Sequence, residues 1–206
     1  MPAEAATPVV SVIVNPLSGE RIIIRTRPGA ASDTLAWELI LAPGGRVPSS
    51  HAHPEQEERF TMLDGTMRFR VGRRRLVAGP GETVCVPPGT VHHFDNAGAI
   101  PARVWVETTP ALGMAELLAI AAELAHDQQA AGRSLPRLLD LALFMGDFER
   151  EVRAPYLPAV LVAAITRPLA WLARTRGLDA GYRRLRARHD PAALPDMPGR
   201  PAADRG

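Results

Sequence analysis

The first 110 residues read as short runs in which apolar and polar positions alternate, each closed by turn-forming residues. Runs at 9–14, 21–27, 34–41, 58–63, 66–71, 75–77, 83–86, 92–95 and 103–108 predict strands, parted by Gly44-Gly45, Asp64-Gly65, Pro80-Gly81 and Asn96-Ala97-Gly98. Many short strands at close spacing, with no helical period among them, suggest a sandwich or a barrel. The clearest hairpin joins Phe60–Leu63 to Met67–Val71 through Asp64-Gly65, because glycine supplies the positive φ that a tight turn needs.

The pattern changes near Pro110. Ala115, Leu118, Ala122 and Ala125, with Leu117, Ala121 and Leu124, form an apolar stripe at three- and four-residue spacing, and Glu116, Glu123 and Asp127 lie off it. Ser134, ahead of Leu135 and Pro136, is a candidate N-cap for a second helix running to about Met145. A third helix is expected from Val160 to about Thr175, bent near Pro168, and an arginine-rich stretch follows over Tyr182–His189. The expected organisation is a β domain over 1–110, a helical extension over 111–190 and a disordered tail over 191–206, rich in Pro, Ala and Gly.

Composition narrows the class. Hydrophobic residues make up 46% of the 206, enough to bury a core, and a formal net charge of +2 argues against nucleic acid as the main partner. All 24 basic residues are arginine, which we read as codon bias. The single cysteine, Cys85, excludes an intrachain disulfide framework and suits a reducing cytoplasm. Met1–Pro8 has no basic region leading into an apolar one, so no signal peptide is expected. The longest apolar run, Leu157–Ile165, falls far short of the ~20 residues a membrane span needs.

The chemistry is concentrated in two segments. His51 and His53 are two residues apart, so on a strand both imidazoles face the same way. Of the neighbouring acids, Glu58 shares its phase with Phe60 and Met62, and Glu57 shares its phase with Arg59 and Thr61; Glu58 is therefore the inward one. In the second segment, Pro87-Pro88-Gly89 leads tightly into a strand whose first inward residue is His92. Three neutral imidazoles and a carboxylate suit one first-row divalent ion (Fe, Mn, Zn or Ni) and leave positions for water or substrate.

These segments resemble the paired signatures of the cupin superfamily. The first runs Gly45, five residues, His51-x-His53, four residues, Glu58, six residues, Gly65; the second runs Gly81, five residues, Pro87-x-Gly89, two residues, His92, three residues, Asn96. All ten fixed positions are filled. The resemblance covers roughly residues 30–110, with the motifs at 45–65 and 81–96, and leaves the helical third outside it. It implies a mainly β fold, the double-stranded β-helix or jelly-roll barrel, with a metal held inside by His51, His53, Glu58 and His92; the C-terminal α-helical extension is read from the helical period alone.

The other residues of interest have plainer readings. Strand phase turns His93 away from the ion, and His126 and His189 have no partners at useful spacing, so both are expected in solvent. Cys85, between Val84 and Val86, is read as a small buried hydrophobe rather than a nucleophile. Arg73, Arg74 and Arg75 read as a solvated turn, and Arg183, Arg184, Arg186 and Arg188 as a solvated helix face, with an acidic partner or membrane surface as the alternative. Phe60, Met62, Met67, Phe69 and Phe94 share the inward phase and form core or cavity wall, which points to a partly apolar small-molecule ligand. No free general base is evident, with Glu38 and Glu107 left open as candidates. Because fold does not fix function, two classes remain: an enzyme using the metal as Lewis acid or oxygen-activating centre (dioxygenase-, isomerase- or cyclase-like), and a non-catalytic small-molecule-binding or sensor protein. The apolar stripe of the first helix needs a surface, so the helices are expected to pack on the barrel or across a homodimer.

Overall fold

The computed structural model describes residues 9–26, 28, 32–47, 49–155 and 157–189. The expected tail at 191–206 and the N-terminal Met1–Pro8 lie outside the described residues. Among the described residues nine strands precede four helices: β1 (Ser11–Asn15), β2 (Glu20–Thr26), β3 (Leu35–Leu41), β4 (Glu57–Asp64), β5 (Met67–Val71), β6 (Arg74–Ala78), β7 (Thr83–Val86), β8 (His92–Asp95), β9 (Ala102–Thr109), α1 (Met114–Ala130), α2 (Leu138–Asp147), α3 (Ala159–Thr175) and α4 (Ala180–His189). The strands build a six-stranded sheet ordered β1-β2-β3-β9-β4-β7 and a three-stranded sheet ordered β6-β5-β8.

Alternation explains the sandwich. Phe60 and Met62 on β4, Met67 and Phe69 on β5, Phe94 on β8, and Val104 and Val106 on β9 are all buried, while Arg59, Arg68, Arg70 and Arg103 between them are exposed. Phe60, Phe69 and Phe94 meet with ring centroids 5.4–6.0 Å apart and tilted planes, the offset geometry aromatic rings prefer. The β4–β5 turn needs its glycine: Gly65 has φ +72°, and a Cβ there would lie 2.9 Å from the Pro101 oxygen and the Ala102 Cα. Glu38 is buried on the face of β3 opposite the core, where Arg25 and Arg103 neutralise it at 2.6 and 2.8 Å.

Helix α1 lies on β1 and buries Leu117, Ile120 and Leu124 in one cluster with the barrel core. Helix α4 packs on α1, and α2 on α3. Arg186 of α4 ties Glu116 of α1 to Asp147 of α2, at 2.8 Å each. Two helical expectations are corrected. Helix α2 begins at Leu138, with Arg137 as its extended N-cap and no side-chain cap, rather than at Ser134. Pro136 accounts for the delay, since the residue before a proline is disfavoured in the helical region. His189 is not free in solvent but lies 3.4 Å from the Glu123 carboxylate, and exposed His126 reaches the Val14 carbonyl at 3.0 Å. Cys85 is also corrected: the period of two buries Val84 and Val86 and turns the thiol outward. Desolvation and the Glu57 carboxylate push that thiol's pKa up, so it remains a poor nucleophile.

Candidate metal centre

Gly45, Arg46, Val47 and His51 lie beside β8 and set the site. Val47 N–H donates to Phe94, Asn96 N–H to Gly45, and His51 and His92 exchange both backbone bonds at 3.1 and 2.8 Å. That exchange fixes His51 opposite His92, while strand period puts His53 on the same side as His51. Their rings converge, with centroids 4.3 Å apart for His51 and His92, 4.9 Å for His51 and His53, and 5.2 Å for His53 and His92. One ligand nitrogen from each of the three lies within 4.8 Å of the others. Glu58, from β4, brings Oε2 to 3.2 Å from both His53 Nε2 and His92 Nε2. His51, His53 and His92 are thus brought together and Glu58 meets two of them, His53 and His92; His53, Glu58 and His92 are buried and His51 is half-buried.

The far side of each ring is already engaged. Nδ1 of His51 meets the Ser49 carbonyl at 3.0 Å, Nδ1 of His92 meets the Thr90 carbonyl at 3.2 Å, and Nδ1 of His53 meets the Glu151 carbonyl. A carbonyl can only accept, so each Nδ1 carries the proton and each Nε2 keeps its lone pair for the centre. Nε2 of His92 is buried and makes no hydrogen bond, an orphaned acceptor of the kind a metal ion would satisfy.

The electrostatics agree with this donor set. Burial, reinforced by the neighbouring imidazoles of His92 and His53, pushes His51 down to about 3 and keeps it neutral. Burial also works against charge on His53, but the Glu58 carboxylate outweighs it and raises His53. Burial alone raises a carboxyl; His53 and His92 reverse this and hold Glu58 well below the usual range. A cation at this point would compete with protons for His53 and Glu58.

Further residues complete the site without having stood out in the sequence. Thr108 Oγ1 accepts from Trp37 Nε1 at 3.2 Å and donates to Glu58 Oε1 at 3.4 Å, a short relay that steadies the carboxylate. A polar residue in the inward phase of Val104 and Val106 was the available signal. The helical extension also reaches the site: Ala52 and Arg153 exchange backbone bonds at 3.2 and 2.8 Å, beside the Glu151 carbonyl that orients His53. The Glu151 carboxylate accepts from Gly113 N–H at 3.0 Å. Gln56, fully buried, donates to the carbonyls of Pro110 and Ala111 at 3.0 Å each, where barrel passes into extension. Contacts through backbone carbonyls leave no mark in a sequence.

The residues set aside stay aside. His93 pairs with Arg70 and lies on the outer face of the small sheet. Glu57 is drawn to Arg59 at 3.1 Å, away from the centre. Glu38 is held by its two arginines, and Glu107 sits in register with exposed Arg59; neither faces the imidazoles as a general base.

Residues 37–107 match the cupin domain family. The chain is 32% identical over 89 residues to the tetracenomycin polyketide synthase protein TcmJ of Streptomyces glaucescens, covering 43% of this chain and 58% of that one. It is 27% identical over 64 residues to the uncharacterized protein MJ1618 of Methanocaldococcus jannaschii, covering 31% of this chain and 51% of that one. The chain therefore spans about half the length of the curated relatives it matches. A solved sugar phosphate isomerase of the cupin superfamily from Silicibacter pomeroyi is 25% identical, over 44% of this chain and 59% of that one, with a TM-score of 0.41. The family match, the paired motifs and the two-sheet architecture together show that this chain contains a cupin domain over residues 37–107, followed by C-terminal helices.

Proposed function

We infer that the protein is a metal-dependent enzyme acting on a small, partly apolar molecule, with one divalent ion held by His51, His53, Glu58 and His92. The observation that carries this reading is the convergence of the three imidazoles: every Nδ1 is engaged by a backbone carbonyl, the three rings gather within one cluster, and Nε2 of His53 and of His92 lies 3.2 Å from the Glu58 carboxylate. When bound, the ion supplies Lewis acidity or an oxygen-activating centre. The chain's own contribution is binding and orientation. Thr108 and Trp37 hold the carboxylate, the Glu151 carbonyl holds His53, and buried Phe60, whose ring centroid is 6.4 Å from that of His92, gives the floor an apolar character. Glu38 and Glu107 face elsewhere, so neither supplements the four ligands as a base. The likeness to a protein named for a polyketide synthase makes phenolic and diketone compounds the first substrates to try.

The alternative is a binding or sensor protein that captures a similar molecule and signals through the extension bridged to the ligand strand at Ala52 and Arg153. Elemental analysis followed by aerobic turnover of phenolic and diketone compounds separates the two. Redox-active iron with oxygen consumption supports the enzyme. A zinc protein that binds these compounds and turns none over supports the sensor. A homodimer is part of the proposal, with the exposed Val12 and Val14 of the edge strand β1, and Val10 just before it, as its contact.

A further inference from the structure

Helix α3 is apolar on both sides. Its inner side faces the rest of the extension, burying Ala170 and Ala173 and packing on α2. Its outer side carries Val160, Leu161, Ile165 and Trp171, which are 72%, 54%, 64% and 66% exposed. Leu161, Ala164, Pro168 and Trp171 follow one another at steps of three and four residues, so they form one stripe, and Val160 and Ile165 widen it. A helix that is apolar all round is normally covered, and among the described residues nothing covers this side.

Charge indicates what does. Helix α3 contains no acidic residue. At about 100° per residue, Arg167 and Arg174 lie along one border of the stripe and Arg176, just past the helix end, along the other; Arg174 meets Asp147 at 3.0 Å and Arg167 lies 3.6 Å from Glu149, and both arginine side chains stay more than half exposed. Residues 157–189 as a whole hold seven arginines and one aspartate, a net +6 in a chain whose total is +2. Two copies of this face brought together about a two-fold axis would set arginine borders against each other, so a second copy fits poorly. An anionic bilayer surface fits both features: the stripe enters the acyl boundary, the arginines reach outward to the headgroups, and Trp171 sits at the border where an indole is favoured. Helix α3 has 17 residues, and no helix among the described residues is long and apolar enough to cross a membrane, so it lies on the surface.

We propose that the outer face of α3 docks the protein peripherally onto membranes rich in anionic lipid. This does not depend on the metal centre or on catalysis. The test is co-sedimentation of the full-length protein with phosphatidylcholine vesicles, with and without about a third phosphatidylglycerol, at low and high salt. The expected result is binding to the anionic vesicles only, weakened by salt, with a blue shift of tryptophan emission that Trp171→Phe removes. The Arg167→Gln/Arg176→Gln double variant is expected to lower the partition coefficient roughly 25-fold, about fivefold per arginine. Ile165→Gln/Trp171→Gln replaces exposed side chains and should abolish binding while leaving the melting temperature unchanged. Absence of binding to anionic vesicles at low salt overturns the proposal, as does binding that neither double variant changes. A lipid-free dimer that Ile165→Gln/Trp171→Gln converts to monomer assigns the face to a second copy and also overturns it.

Discussion

Thr108→Val tests whether the carboxylate of the centre is held by the relay behind it. The hydroxyl is fully buried, accepts from Trp37 Nε1 at 3.2 Å and donates to Glu58 Oε1 at 3.4 Å. Valine keeps the shape and removes both bonds. The larger cost is the buried indole N–H left without a partner, about 1–3 kcal/mol. The bond to Glu58 is long and adds at the lower end of the usual range, so the total expected loss of stability is about 2 kcal/mol. Groups that orient metal ligands are generally worth 10–100-fold in affinity, and the long distance places Thr108→Val near tenfold. The assay is chemical denaturation of the metal-free variants alongside competition for metal with a chelator. Trp37→Phe in the same chain removes the orphaned donor, so the double variant should cost less stability than the sum of the two single ones while keeping the tenfold loss of affinity. Thr109→Val is the control: its hydroxyl bonds Thr34 at the exposed surface and should leave affinity unchanged. Equal affinities for Thr108→Val and Thr109→Val would refute the relay.

Glu20 is raised to about 7 by burial, against a hydrogen bond from Ser18 that lowers it. Because the folded state holds its proton more tightly than the unfolded state, stability is fully present below about pH 4.5 and falls as pH rises to about 7. The loss is about 3 kcal/mol, and Glu20→Gln should flatten that part of the stability–pH curve measured by urea denaturation. A slope unchanged in the variant would assign the titration elsewhere. Deleting residues 111–206 strips the barrel of α1 and removes the Glu151 carbonyl and the Arg153 bridge from the ligand strand. The truncated barrel is expected to lose solubility and metal affinity together, and a soluble barrel with unchanged melting temperature would contradict the packing described. Glu58→Gln should weaken metal binding without abolishing it, whereas Glu57→Gln, whose side chain turns to Arg59, should leave it intact; titration with the metal distinguishes them.

Most strands were legible because a period of two marks a buried and an exposed face; β3, buried on nearly every residue, has no such exposed face. The same rule placed Glu58 inward and Glu57 outward. Cys85 was misread as buried because its residue type was allowed to outweigh its phase between Val84 and Val86. The start of α2 was misplaced because a favourable capping residue, Ser134, stands ahead of a proline that delays the helix. The attachment of the extension to the site was not legible at all. It runs through the Glu151 carbonyl and the Ala52–Arg153 backbone bridge, which any residue can supply. The partner of His189 was missed for a related reason: Glu123 lies on another helix, 66 positions away.

The central claim is that His51, His53, Glu58 and His92 together hold one divalent ion. The most direct test compares metal-to-protein stoichiometry in His92→Ala and His93→Ala, purified at matched pH because the imidazoles bind only when deprotonated. The two residues are adjacent and chemically identical, and only strand phase separates them: His92 is 1% exposed at the centre, and His93 faces outward beside Arg70. The account predicts about one ion per chain in His93→Ala and a sharp loss in His92→Ala. Equal loss in both variants, or full occupancy in His92→Ala, would contradict it.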